Sequence, residues 1–274
     1  MIALLCATPM EMASLLPLLE EVEDQESPGG MRLVIGKAGA VDILAVSVGV
    51  GKVSAAAGTR FIMDRYPLEA LVIWGAAGAL SSELRLGDLV ISDELIPADV
   101  GVAHSEGFST TGPGLCEEDR LVFYPSFPVP LMLQERARAA AEAAGLSYHV
   151  GKVLTCDQII LDPGLREHLG SSFDALAVEM EGAAAAQVAA GEDLPFIAIR
   201  TISDELSHDF VGLEKVLEYK GQTRRNLWRK RFRLSVTDPS TVARARELSR
   251  GMETALRNAA AFLEAFLAAP NKTR

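Results

Sequence analysis

Two carboxylates stand out by where they fall: Glu181, in Val178-Glu179-Met180-Glu181-Gly182, and Asp204, in Arg200-Thr201-Ile202-Ser203-Asp204. Each follows a short apolar run, Ala175 to Val178 and Phe196 to Ile202, that reads as a buried strand of an α/β sheet. A lone charge at the end of such a strand is costly to desolvate, so it is either paired or used. Ligands of α/β sheets bind where strands end, which makes the two acids a candidate site for acid–base chemistry. The alternative is a structural ion pair with Arg200, since such pairs occupy the same places.

The elements that must position these side chains alternate. Met1 to Ala7 reads as a buried first strand, turning at Thr8-Pro9 into a helix from about Pro9 to Glu20. An acidic loop over Glu21 to Gly30 and a hairpin-like pair around Leu33 and Ile43 follow. Val46 to Lys52 leads into a helix from about Ser54 to Met63, and the strand Leu71 to Trp74 closes on Gly75-Ala76-Ala77-Gly78-Ala79-Leu80. Leu86-Gly87-Asp88 turns into a strand over Leu89 to Ser92. Residues Ala98 to Pro130 hold eight prolines and glycines and read as an irregular lid or binding loop. Helix Leu131 to Ala144, strands Val150 to Thr155 and Ala175 to Val178, helix Gly182 to Ala190, strand Phe196 to Ile202 and a last helix Ser240 to Ala268 complete the chain. The alternation predicts an α/β protein, a three-layer αβα with a mixed central sheet, in one domain over residues 1–274.

Composition excludes several functions. The 274 residues carry a formal net charge of -11, which repels nucleic-acid backbones and anionic membranes and points to small-molecule partners. Cys6, Cys116 and Cys156 are too scattered for a disulfide framework and fit a reducing cytoplasm. Met1 to Ala7 lacks a cationic leader, and no apolar stretch is long enough to span a bilayer. His104, His149, His168 and His208 pair with no cysteine at ligand spacing, so neither a metal nor another cofactor is expected. Gly49-Val50-Gly51-Lys52 lacks the Walker glycine and hydroxyl, with Val46 and Val53 in those places, and Gly75 to Gly78 lacks the dinucleotide fingerprint. Arg224 to Arg233 gathers six cations with Leu227, Trp228 and Phe232 and no acid, as a solvated face or a grip on an anionic group.

The order of Gly49 to Val53, Gly75 to Leu80, Leu86 to Val90, Val178 to Gly182 and Ile202-Ser203-Asp204 resembles the purine nucleoside phosphorylase and nucleosidase superfamily. Within it the chain looks most like methylthioadenosine/S-adenosylhomocysteine nucleosidases and futalosine hydrolases. The resemblance covers about residues 1–204, resumes in the final helix, and leaves 205–239 as an inserted basic segment. It implies a nucleoside phosphorylase-like fold and hydrolysis of a 5'-modified purine ribonucleoside. Asp204 then matches the acid that protonates or hydrogen-bonds the purine N7, with Ser203 orienting it. Glu181 matches the carboxylate that accepts from the ribose hydroxyls, with Met180 as an apolar wall and Glu179 in the same motif. Glu11 matches the general base that polarises water, where the residue alone would read as a first-turn helix acid. Ala76 and Gly78 fall in the turn that faces substrate.

Phosphorolysis is the competing reaction. It needs cationic clamps for a dianion, whereas Val72, Ile73 and Trp74 precede Gly75 and Glu11 would repel phosphate. Two departures from the family pattern bear on specificity. Ile159 and Ile160 stand where a base-stacking aromatic is implied, and Ala76 replaces a serine. A homodimer is implied, with the Ala98 to Pro130 segment as the contact.

Overall fold

The computed structural model describes residues 1–105, 107–208, 210–211 and 239–269. The chain opens with β1 (Ile2–Cys6), buried at every residue, then α1 (Pro9–Leu15) and one 3₁₀ turn. The acidic stretch expected as a loop is instead β2 (Glu20–Gln25), which pairs antiparallel with β3 (Arg32–Ala38) at the sheet's outer edge. Its charged, exposed side chains suit an edge, where they discourage pairing with other chains. β4 (Val41–Ser47), α2 (Lys52–Met63), β5 (Ala70–Ala79) and β6 (Leu89–Pro97) follow. The long segment expected as irregular carries two small hairpins, β7 (Gly101–His104) with β8 (Gly107–Thr110) and β9 (Gly114–Glu117) with β10 (Arg120–Phe123), then β11 (Phe127–Pro128).

The second half holds α3 (Leu131–Ala143), β12 (Tyr148–Thr155), α4 (Pro163–Phe173), β13 (Ala175–Glu179), α5 (Gly182–Ala190), β14 (Phe196–Asp204) and α6 (Pro239–Ala268). Helix α4 has no counterpart among the sequence-based elements. Asp162 caps it by accepting from the Leu165 amide at 2.7 Å, and Pro163 starts it.

The main sheet is mixed, as expected, with β1 parallel to both β4 and β5. It also closes on itself. β5 pairs with β14 and β13, β13 with β12, β12 with β6, and β6 with β14, so five strands form a ring. α1, α3 and α6 pack together on one side, where Phe262 and Phe266 of α6 are fully buried. α2 and α5 pack together elsewhere, α5 through buried Ala183, Ala185, Ala186 and Ala189, whose small side chains allow close approach. No helix among the described residues is long and apolar enough to cross a membrane. The basic run Arg224 to Arg233 lies outside the described residues.

Candidate active site

Glu11 is placed by a helix cap. Thr8 Oγ1 accepts from the Glu11 amide at 3.3 Å, and Glu11 Oε2 returns the contact, accepting from the Thr8 amide at 2.8 Å, the Ala7 amide at 3.0 Å and the Thr8 hydroxyl at 2.9 Å. The cap therefore uses one carboxylate oxygen. The other, Oε1, leaves the helix and accepts from the Ala76 amide at 3.1 Å. This close approach needs Gly75, which has φ +149 and no Cβ; a Cβ would collide with Glu11 Oε1 and crowd Arg200 Nη1. Glu11 is thus both the first-turn acid of the bland reading and a carboxylate aimed at the Gly75 turn.

Arg200 lies across the β5–β14 ladder from Gly75 and is fully buried. It pairs with two glutamates: Arg200 Nη2 bonds Glu179 Oε2 directly, while Glu181 Oε2 stands 3.7 Å away, within ion-pair reach but beyond a hydrogen bond. Glu179 also accepts from the Thr155 hydroxyl and from the amides of Glu181 and Gly182 at 2.8–2.9 Å. Both of its oxygens are engaged within the core, where Glu179 fixes Arg200 and the start of α5. The two glutamates, two residues apart, divide the work.

Glu181 is left with one described donor, the Gly51 amide at 2.9 Å. Burial, reinforced by the nearby Glu179 charge and only partly offset by Arg200, pushes its pKa up to about 7. A buried carboxylate with spare acceptor capacity suits a ligand that brings hydroxyl donors. Met180 beside it is half-buried.

Asp204 sits at the other end of the same ladder. An extra residue between Ile202 and Asp204 shifts the register and brings Asp204 opposite Gly78. Its Oδ1 accepts from the Ser203 hydroxyl at 2.7 Å; that hydroxyl also lies 3.2 Å from the Ala77 carbonyl. Its Oδ2 meets Arg166 Nη2 of α4 in a direct ion pair. The Asp204 carboxyl is therefore buried with a cation beside it. Sequence reasoning missed Arg166; the Asp162-Pro163 cap could have revealed its helix, but its partner stands 38 residues on.

Gly75 and Gly78 are three residues apart, roughly 10 Å along β5. Glu11 reaches the Gly75 end of that span, Glu181 lies 3.7 Å from the Arg200 that also borders Gly75, and Asp204 stands at the Gly78 end. Ala76 offers its amide to Glu11, while Ile160 packs with Leu80, Ile96 and Cys156. Ile159 is 56% exposed at the surface. Lys52 Nζ is held by Asp99 at 2.5 Å and Asp157 at 3.5 Å. Burial works against its charge, but the Asp99 bond and the two aspartate charges outweigh it and hold its pKa above the ordinary value.

The family model described as the phosphorylase superfamily matches residues 1–227, running past the boundary at 204 that the motifs suggested. The chain belongs to the phosphorylase superfamily. This superfamily member is 34% identical over 218 residues to a 5'-methylthioadenosine/S-adenosylhomocysteine nucleosidase of Geobacillus thermodenitrificans, covering 79% of this chain and 89% of that protein. It is 37% identical over 179 residues to one of Listeria monocytogenes, covering 64% and 74%. Its fold matches that of the Streptococcus pneumoniae nucleosidase, solved with the transition-state inhibitor MT-ImmA, with a TM-score of 0.73, 24% identity and 97% of each chain covered. The mixed-sheet architecture of the superfamily member is thereby shared with solved nucleosidases.

Proposed function

We propose that this phosphorylase-superfamily protein hydrolyses the N-glycosidic bond of a 5'-modified purine ribonucleoside and releases the free base. The observation that carries the reading is that Glu11 and Arg200 meet at the Gly75 turn with Glu181 3.7 Å from Arg200, while Asp204 stands opposite Gly78 further along β5. Named relatives are nucleosidases, which supports hydrolysis as the reaction class.

Cleavage leaves positive charge on the ribose and electrons on the departing base. Glu181 accepts hydrogen bonds from the 2'- and 3'-hydroxyls and its charge favours the oxocarbenium-like sugar. Water attacks C1' and gives a proton to Glu11 through Oε1, the oxygen the helix cap leaves free. Asp204 takes up a proton from solvent as the nucleoside binds, passes it to N7 as the C1'–N9 bond breaks and returns to the carboxylate paired with Arg166, while Ser203 keeps the carboxyl oriented. Met180 walls the sugar, while Ala76, Gly78, Ile159 and Ile160 line the approach.

Water is favoured over phosphate because, among the described residues, Arg200 and Lys52 near the site are already paired. Arg200 is taken by Glu179, Lys52 by Asp99 and Asp157, and the Gly51 amide by Glu181. The 5'-group is a thioether such as those of methylthioadenosine and S-adenosylhomocysteine, or the group carried by futalosine. Two copies pair through the 98–130 segment, whose Val102, Phe108, Leu121 and Phe123 are exposed, and the protein works in the cytoplasm. Base release from methylthioadenosine, S-adenosylhomocysteine and futalosine, with and without phosphate, tests the reading. Release should need no phosphate and should vanish in Asp204→Asn; strict phosphate dependence or an active variant overturns it.

A further inference from the structure

Arg166 is the one group at the base end of the site that the proposed chemistry leaves unused. It is 1% exposed, yet only part of its guanidinium is satisfied: Nη2 pairs with Asp204 Oδ2, Nη1 lies 3.4 Å from the Glu205 carbonyl, and Nε has no partner among the described residues. The Arg166 guanidinium carbon lies 5.1 Å from the centre of the Phe210 ring, and Gly78 leaves room that a Cβ would deny, because it would overlap Nη2. Gly78 is therefore what admits the guanidinium beside the acid. Buried unsatisfied donors are uncommon and call for a partner.

A purine that brings N7 to Asp204 lays one edge against this pair, since N7 and the substituent at C6 lie side by side. Adenine presents an acceptor and an amino donor on that edge; a 6-oxopurine presents two acceptors. Arginine has donors only. An amino group at C6 would face the guanidinium N–H groups and could place its protons only on Asp204 Oδ2, in competition with Arg166. A C6 oxygen completes the guanidinium's bonding while Asp204 serves N7.

Resting on the nucleosidase reading above, we infer that Arg166 is a specificity-determining residue that reads the C6 substituent of the purine and favours a 6-oxo over a 6-amino base. This separates the base preference of this chain from the adenosine in the names of its relatives.

The test compares kcat/KM for 5'-methylthioinosine and 5'-methylthioadenosine, which differ only at this edge, on the wild type and on Arg166→Met. The wild type should prefer the inosine compound by about tenfold or more, and Arg166→Met should collapse that ratio. A wild type that prefers the adenosine compound, or a variant that lowers both alike, overturns the inference. Calorimetric titration of the wild type with hypoxanthine and adenine decides the matter if Arg166→Met does not fold: tighter hypoxanthine upholds it, equal or tighter adenine refutes it. Turnover of neither nucleoside would instead overturn the nucleosidase reading, and the same titration would still judge Arg166.

Discussion

Replacing Glu181 with glutamine should make the protein more stable at alkaline pH while removing activity. Burial and the Glu179 charge raise the Glu181 pKa from 4.5 to about 7, so between these values the folded protein holds a proton that the unfolded chain has released. Stability then falls as pH rises through that window, because the native state binds more protons than the unfolded one. The rise corresponds to about 3 kcal/mol lost to the ionised Glu181 above pH 7. Glutamine can still accept from the Gly51 amide and carries no charge at any pH. Urea unfolding of both proteins at pH 5 and pH 8 reads the effect, since the remaining groups titrate alike and cancel in the difference. The stability of Glu181→Gln relative to wild type should rise by about 2–3 kcal/mol from pH 5 to pH 8. An unchanged difference would refute the claim that Glu181 pays a desolvation cost in the fold.

Three further outcomes follow from the same geometry. The acid limb of kcat/KM should lie near pH 7, because Glu181 must be ionised in the free enzyme to accept the ribose hydroxyls, and in kcat it should move to lower pH once they are bound; pH profiles of both constants check this. Gly78→Ala should displace Arg166 from Asp204, costing about 1–3 kcal/mol in denaturant unfolding and at least about tenfold in kcat/KM. Thr8→Ala removes the helix cap and one of the donors to Glu11 Oε2, so thermal unfolding should register about 1 kcal/mol of destabilisation and kcat should fall more than KM changes.

The three site acids were legible because each is announced locally. Glu181 and Asp204 follow apolar runs that can only be buried, and Glu11 follows Thr8-Pro9 in a helix-start pattern. Their partners were not legible. Nothing local distinguishes Glu179 from Glu181 as the mate of Arg200; that choice is made where β13 hands over to α5 and the amides of Glu181 and Gly182 turn toward Glu179. Arg166 depends on α4 lying over Gly78, a tertiary contact with no sequence period. The mixed sheet could be expected from alternating strands and helices, whereas its closure could not, because the β13–β5 and β14–β6 pairings join strands far apart in the chain. The acidic stretch after α1 became β2 because β3 offered a partner edge, which outweighed its poor strand propensity.

The ring of β5, β13, β12, β6 and β14 has a mechanical consequence. Each member is clasped on both flanks, so none can slide or peel without breaking two ladders at once, and Gly75, Gly78, Arg200 and Asp204 share one such joint. Asp204, the acid proposed for the leaving base, is therefore tied to the last part of the molecule to come apart, and amide protons of β5 and β14 should exchange only with global unfolding. α4 rests on β13 from outside that ring and can loosen by itself. In the proposed reaction the acid at the base is thereby anchored to the frame, while Arg166 rides on a helix outside it that sequence drift can reshape without disturbing the ring.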